Sequence, residues 1–161
     1  MLNDTFEDDY MNYIECNKAL CSGLTYRGRT NKLIHAQRMN ALIFDLDNLG
    51  ESELLNVLYR IYELPSELEK IGHSEYGLRV IPEPTFLVSS GSGLHLYYVF
   101  EEPIDLYPNI KLQLKALKYD LTFKIWEYKS TSKEKQIQYQ SINQSFRMVG
   151  SINEKYNLKF L

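Results

Sequence analysis

ALIFDLDNLG, residues 41–50, is the stretch on which the fold of this chain turns. The bulky apolar residues Leu42, Ile43 and Phe44 run into Asp45, Leu46 and Asp47, and such a run predicts a buried strand. Side chains alternate along a strand, so Asp45 and Asp47 share a face about 7 Å apart. Neighbouring carboxylates repel, and the pair costs stability unless a cation accompanies it. The sequence therefore poses a question of charge: what is the cation?

The flanking segments supply the frame. Residues 5–20 predict a helix with a polar face, and GLTYRGRTNK, residues 23–32, a basic loop or hairpin carrying Arg27, Arg29 and Lys32. NLG closes the strand, and Ser52 precedes ELLNVLYRIYEL, whose apolar spacing is helical until Pro65. PTFLVSS and LHLYYVF, joined through GSG, predict a hairpin with His95, Tyr97 and Val99 on one face. IKLQLKALKYDLTFKIWEY, residues 110–128, is a long amphipathic helix with an apolar stripe at 110, 114, 117, 121 and 125. KQIQYQ, residues 135–140, alternates like a strand with Gln136, Gln138 and Gln140 on one face, and FRMVGS follows. Helices mixed with hairpins predict an α+β domain, its helices packed on one face of a largely antiparallel sheet.

Composition narrows the class. A chain of 161 residues with 44% hydrophobic and 24% charged residues suits one soluble domain. No apolar run approaches the ~18 residues needed to span a bilayer, so no membrane partner is expected. Cys16 and Cys21 lack a second pair, which argues against a zinc site and for a reduced, intracellular protein. Thirteen tyrosines suit the edge of a core with a wet hydroxyl, which accounts for most of them, with stacking on bases the alternative for some. Residues 1–105 carry 8 Lys/Arg against 17 Asp/Glu, a net of −9, and residues 106–161 carry 10 against 4, a net of +6. The basic rear half suits a local polyanion or a solvated helix face equally well.

The aspartate pair has three explanations. Both can be loop-edge carboxylates capping the next helix. FDLDNLG also resembles the first motif of haloacid dehalogenase-type phosphatases, but that family needs a later acidic pair, and only Asp105 and Asp120 remain after residue 47. The third is divalent metal binding for phosphoryl transfer. Two other segments bear on the choice. In SSGSGLH, Ser90, Gly91, Ser92 and Gly93 free backbone amides to face an anion, with His95 within reach; a plain hairpin turn and a structural histidine are the alternative. In SFRMVGS, Arg147 lies between apolar neighbours and needs a partner, either a phosphate or a structural carboxylate.

Taken in order, these segments resemble the archaeo-eukaryotic primase superfamily, within it the primase-polymerases of plasmids, phages and other mobile genetic elements. Its pattern of a strand ending Asp-x-Asp, a Ser/Gly turn leading to His, and an Arg followed by Gly, Asn and Lys falls here on Asp45 and Asp47, SGSGLH with His95, and Arg147, Gly150, Asn153 and Lys155. The resemblance spans roughly residues 36–155, and it implies an RNA-recognition-motif-like sheet with a small N-terminal αβ subdomain. The whole chain, 1–161, would be one catalytic domain, complete or the N-terminal part of a longer replication protein. It further implies a DNA primase or primase-polymerase: nucleoside triphosphates joined on a single-stranded DNA template, with two Mg²⁺ or Mn²⁺ ions at Asp45 and Asp47. The turn 90–93, His95, Arg147 and Lys155 would grip the triphosphate, and Arg27, Arg29 and Arg38 would touch the template. A helicase or helix-bundle domain would be a partner, and the cytoplasm of a bacterial, archaeal or virus-infected cell the setting. The superfamily's third acidic ligand has no counterpart on KQIQYQ, which leaves Asp120 from the helix, or Gln138 or Gln140 as neutral ligands. A catalytically silent replication protein that binds DNA or nucleotide is the alternative, with a metal-dependent phosphohydrolase behind it.

Overall fold

The structure is a computed structural model that describes residues 10–12, 14, 19–62, 81–153 and 158–159. Its centre is a four-stranded antiparallel sheet in the order β2-β3-β5-β4, with β2 at Leu24–Tyr26, β3 at Ala36–Leu46, β4 at Phe86–Ser89 and β5 at Leu94–Asp105. Helices α1, Glu51–Tyr62, and α2, Pro108–Ile125, follow β3 and β5. Two short ribbons complete it: β1, Leu20–Cys21, with β6, Phe146–Arg147, and β7, Ile152–Asn153, with β8, Leu158–Lys159. The predicted α+β architecture is what the chain adopts.

Alternation builds the core. Leu42, Phe44 and Leu46 of β3 and Leu94 and Leu96 of β5 join one hydrophobic cluster with Val57 and Ile61 of α1 and Leu114 and Ile125 of α2. Both helices thus bury their apolar stripes on the same face of the sheet. The expected hairpin forms, in register from Phe86↔Tyr97 to Ser89↔Leu94.

Several elements depart from the sequence expectations. KQIQYQ is irregular rather than a strand; its glutamines find better partners than a ladder, as described below. The helix expected over residues 5–20 ends before Leu20, which starts β1, and part of it lies outside the described residues. Helix α1 begins one residue before Ser52, because Glu53 reaches back to accept the Gly50 amide at 2.9 Å and caps the first turn itself. On α2, Leu117 is left 47% exposed while Lys118 turns inward. The buried residues are Leu114, Lys118, Thr122 and Ile125, so the buried stripe is rotated from the expected one. No helix among the described residues is long and apolar enough to cross a membrane.

Gly23 shows why the sheet bends where β2 meets β3. The β3–β5 register slips between Met39 and Ala41, and just there the Gly23 carbonyl, beside β2, accepts the amides of both Asn40, at 2.7 Å, and Ala41, at 3.2 Å. A Cβ on Gly23 would stand 2.0 Å from the Ala41 carbonyl oxygen. Gly23→Ala should therefore lower the free energy of unfolding by about 1–3 kcal/mol, through forced backbone movement. Urea unfolding measures it, and an unchanged midpoint would mean that the two backbones do not approach this closely.

Candidate functional site

Asp45 and His95 are direct partners across β3 and β5. The Asp45 amide and carbonyl both point away from β5, since they bond to Gln140: the amide donates to Oε1 at 3.1 Å, and the carbonyl accepts from Nε2 at 2.8 Å. Asp45 and His95 are therefore a non-hydrogen-bonded pair, the kind whose side chains stand closest in an antiparallel ladder. His95 Nε2 lies 3.3 Å from Asp45 Oδ1.

Asp47 is fixed from two sides. The turn at 90–93 closes with the Ser90 amide donating to the Gly93 carbonyl at 3.0 Å, and Gly91 holds φ at 96°. The turn leans on the end of β3: Leu49 donates to the Ser92 carbonyl at 2.9 Å, and a Cβ on Gly93 would meet the Leu46 carbonyl oxygen at 2.4 Å. Glycine at 93 is thus required for close approach. From the other side Ser132 Oγ donates to the Asp47 carbonyl at 3.0 Å, and Lys133 donates its amide to the Asn48 carbonyl at 3.2 Å.

The face carrying Asp45 and His95 is covered. Phe146 of β6 sets its ring edge-on to His95, 5.4 Å between centroids, and β6 pairs Phe146 with Cys21 of β1. Burial pushes the Cys21 thiol and the Tyr97 hydroxyl above their ordinary values. His95 is only 4% exposed.

Lys118 is the residue the sequence did not single out. It is 1% exposed, donates to the Ser141 carbonyl at 3.0 Å, and places its ammonium 5.8 Å from the Phe44 ring centre and 5.5 Å from that of Phe146. Burial lowers its pKa to about 8, and the charge of Asp45 opposes that fall. A lysine at i+4 from Leu114 and i−4 from Thr122 was the available signal, and it was masked by the competing stripe through Leu117.

The segments Asp-x-Asp, SGSGLH and Phe146-Arg147 thus meet at one end of β3. Arg147 is half-buried beside Phe146, and alternation along β6 turns it to the side opposite the His95 ring. Asp120 is exposed on α2. Gln140 spends both amide atoms on the Asp45 backbone, and Gln138 is exposed. Among the described residues, no group of three or more His, Cys, Asp or Glu gathers to hold a metal ion. Asp45 Oδ1 is nevertheless buried without a hydrogen-bond donor, and an orphaned carboxylate oxygen suits a cation. Arg27 and Arg29 are exposed in the β2–β3 connection, and Arg38, seven residues before Asp45 on β3, pairs with Asp105 at 3.0 Å. Lys155 lies outside the described residues.

Gln140→Ala should leave the Asp45 amide and carbonyl without partners, at a cost of about 1–3 kcal/mol for each group that stays dry. Hydrogen exchange at the Asp45 amide should accelerate accordingly, and unchanged exchange would remove the clamp. Lys118 gives a pH signature. Its folded pKa lies below its ordinary value, so between about pH 8 and 10.5 the unfolded chain binds a proton that the folded chain lacks. Stability should rise with pH across that window, by about 1–3 kcal/mol at most. Cys21, Tyr97 and Tyr98 shift upward and act in the opposite sense at the alkaline end. The difference between wild-type and Lys118→Met melting curves isolates the lysine, and a difference independent of pH would refute its depressed pKa.

No family model and no curated protein matches the sequence. Among solved structures, the chain is similar to the AEP domain of the primase-polymerase (PrimPol) of cyanophage S-2L, at 16% sequence identity and a TM-score of 0.45. The match covers 83% of this chain and 55% of that one, so this chain spans about half the length of the neighbour, and the likeness is distant.

Proposed function

We propose that this domain performs nucleotidyl transfer of the primase-polymerase kind, joining nucleoside triphosphates on a single-stranded DNA template. The observation that carries it is the pairing of Asp45 with His95, with the Ser-Gly turn seated on the backbone of the aspartate segment at Leu46 and Asp47. This arrangement sets carboxylates for a cation beside amides and an imidazole for an anion, which is what a metal–triphosphate complex needs. A divalent ion, Mg²⁺ or Mn²⁺, held by Asp45 and Asp47 would supply Lewis-acid stabilisation of phosphoryl oxygens.

The chain's own groups do the remainder. His95, oriented by Asp45, donates a hydrogen bond to a phosphate oxygen. The amides of Ser92 and Gly93 face the same anion across the turn. Phe146 excludes water from the back of the imidazole. Arg147 grips phosphate after a rotamer change, and Lys155 adds charge. Arg27, Arg29 and Arg38, at the far end of β3, suit template phosphates rather than the triphosphate.

A second reading is favoured by one observation, that no third carboxylate gathers with the pair among the described residues. In it the domain binds nucleotide or DNA without turnover. Primer synthesis on single-stranded template with labelled triphosphates and Mn²⁺ separates the two. The expected result is product from wild type and none from Asp45→Asn with Asp47→Asn. His95→Ala should weaken triphosphate binding about 10-fold or more, the loss of one charge-assisted hydrogen bond. Triphosphate binding without product in wild type would establish the silent form, and absence of binding would reject both.

A further inference from the structure

Three segments far apart in sequence form one surface: the β2–β3 connection at 27–35, the first three turns of α2 at 108–119, and the segment 135–143. Each touches the other two. Lys111 Nζ donates to the Ile34 carbonyl at 3.4 Å, Asn143 Nδ2 donates to the Asn31 carbonyl at 3.1 Å, and the rings of Tyr119 and Tyr139 meet edge-on, 5.3 Å between centroids. Together the segments carry seven Lys/Arg, of which only Lys118 is buried, and no Asp or Glu, in a chain with 21 acidic residues. The nearest acids in sequence are turned aside. Asp120 lies about 100° round α2 from Tyr119, and Glu134 accepts from the Asn48 side-chain amide at 2.7 Å.

Where it is not charged, the surface is apolar and aromatic. Residues 112, 115, 116 and 119 fall within about 100° of arc on α2. Leu112 is 70% exposed, and Tyr139 is 51% exposed although its ring already touches Tyr119. Lys115 holds its ammonium 5.7 Å from the Tyr119 ring centre. Exposed rings beside exposed cations, with no acid between them, suit a chain of alternating phosphates and planar bases. A second copy of this chain fits poorly, because a two-fold interface would set these cations against themselves. A duplex fits poorly too, since its base faces are already stacked on one another.

We propose that this surface seats single-stranded nucleic acid, its bases stacking on Tyr139 and Tyr119 and its phosphates meeting Lys115, Arg27, Arg29 and Lys32. Calling that strand the DNA template rests on the function proposed above; the seat itself does not. Tyr139 directly precedes Gln140, which holds both backbone groups of Asp45, so a strand stacked there passes beside the aspartate segment.

Fluorescence anisotropy with a labelled oligodeoxythymidylate of about 12 nucleotides, without triphosphate or metal, reads the seat directly. Wild type should bind, Tyr139→Ala should bind about 5- to 150-fold more weakly, and Tyr139→Trp, which keeps a ring, should restore binding. An abasic oligonucleotide of the same length keeps the phosphates and lacks the bases, and on it Tyr139→Ala should match wild type. Lys115→Gln should weaken both oligonucleotides and lower the slope of log affinity against log salt by about 0.7. Both side chains are exposed, and unchanged melting curves verify that the variants are folded. No binding by wild type, equal affinity for a duplex of the same length, or an equal loss on the abasic strand overturns the proposal. So does a dimer in sedimentation velocity that Tyr139→Ala dissociates, which would give the surface to a second copy. Primer synthesis keeps the two readings apart. Ring-dependent binding with no product from wild type upholds the seat and rejects turnover, whereas product from wild type with Tyr139→Ala binding normally rejects the seat and upholds turnover.

Discussion

A ladder of alternating close and wide pairs leaves little freedom to the residues at its end. Once β3 and β5 are in register from Met39↔Ile104 past the bulge to Leu46↔Leu94, Asp45 has to face His95, and their side chains have to share the narrow spacing of a non-hydrogen-bonded pair. The same register determines the backbone needs of the site. The Asp45 amide and carbonyl face outward, where no strand runs, and Gln140 supplies with one side-chain amide what a neighbouring strand would supply with its backbone. The Ser-Gly turn is bound by the same geometry, because it closes the hairpin one residue before β5 and so falls against the Leu46 carbonyl.

Burial then makes charge the governing difficulty. The ribbon of β1 and β6 closes over His95 and Tyr97, and α2 passes along the opposite side of the edge with Lys118 directed inward. Desolvation penalises the Lys118 charge, and the Ser141 carbonyl and the faces of Phe44 and Phe146 offset part of that cost. The arrangement explains why a lysine is kept within an otherwise apolar stripe. Other lysines of the basic rear half, Lys115, Lys124, Lys129, Lys133 and Lys135, are exposed, whereas Lys118 is buried.

Much of this was legible in the chain. The apolar run into Asp-x-Asp, the glycine turn and the alternation of LHLYYVF place β3, β4 and β5 and put Asp45 and Asp47 beside the turn, because hairpins and buried strands follow from local pattern. The helix over 110–128 was legible in extent but not in rotation: LKALK offers both Leu117 and Lys118 to the sheet, and local periodicity ranks leucine first. KQIQYQ was misread as a strand for a similar reason, since alternation of Gln with apolar residues does not distinguish a ladder from an irregular segment that uses its amides.

What the sequence by itself determined is therefore the set of strands and the acidic and glycine-rich segments they carry, since these depend on residues near one another along the chain. What only the tertiary structure decided is the company those residues keep. Gln140 lies 95 residues beyond Asp45 and serves as a replacement for a strand edge. Lys118, on a different element again, ends against the Ser141 carbonyl between the rings of Phe44 and Phe146. Such partners are chosen by the packing of α2 and the 140–141 segment against an exposed edge of β3, and desolvation there rewards whichever polar groups arrive in register.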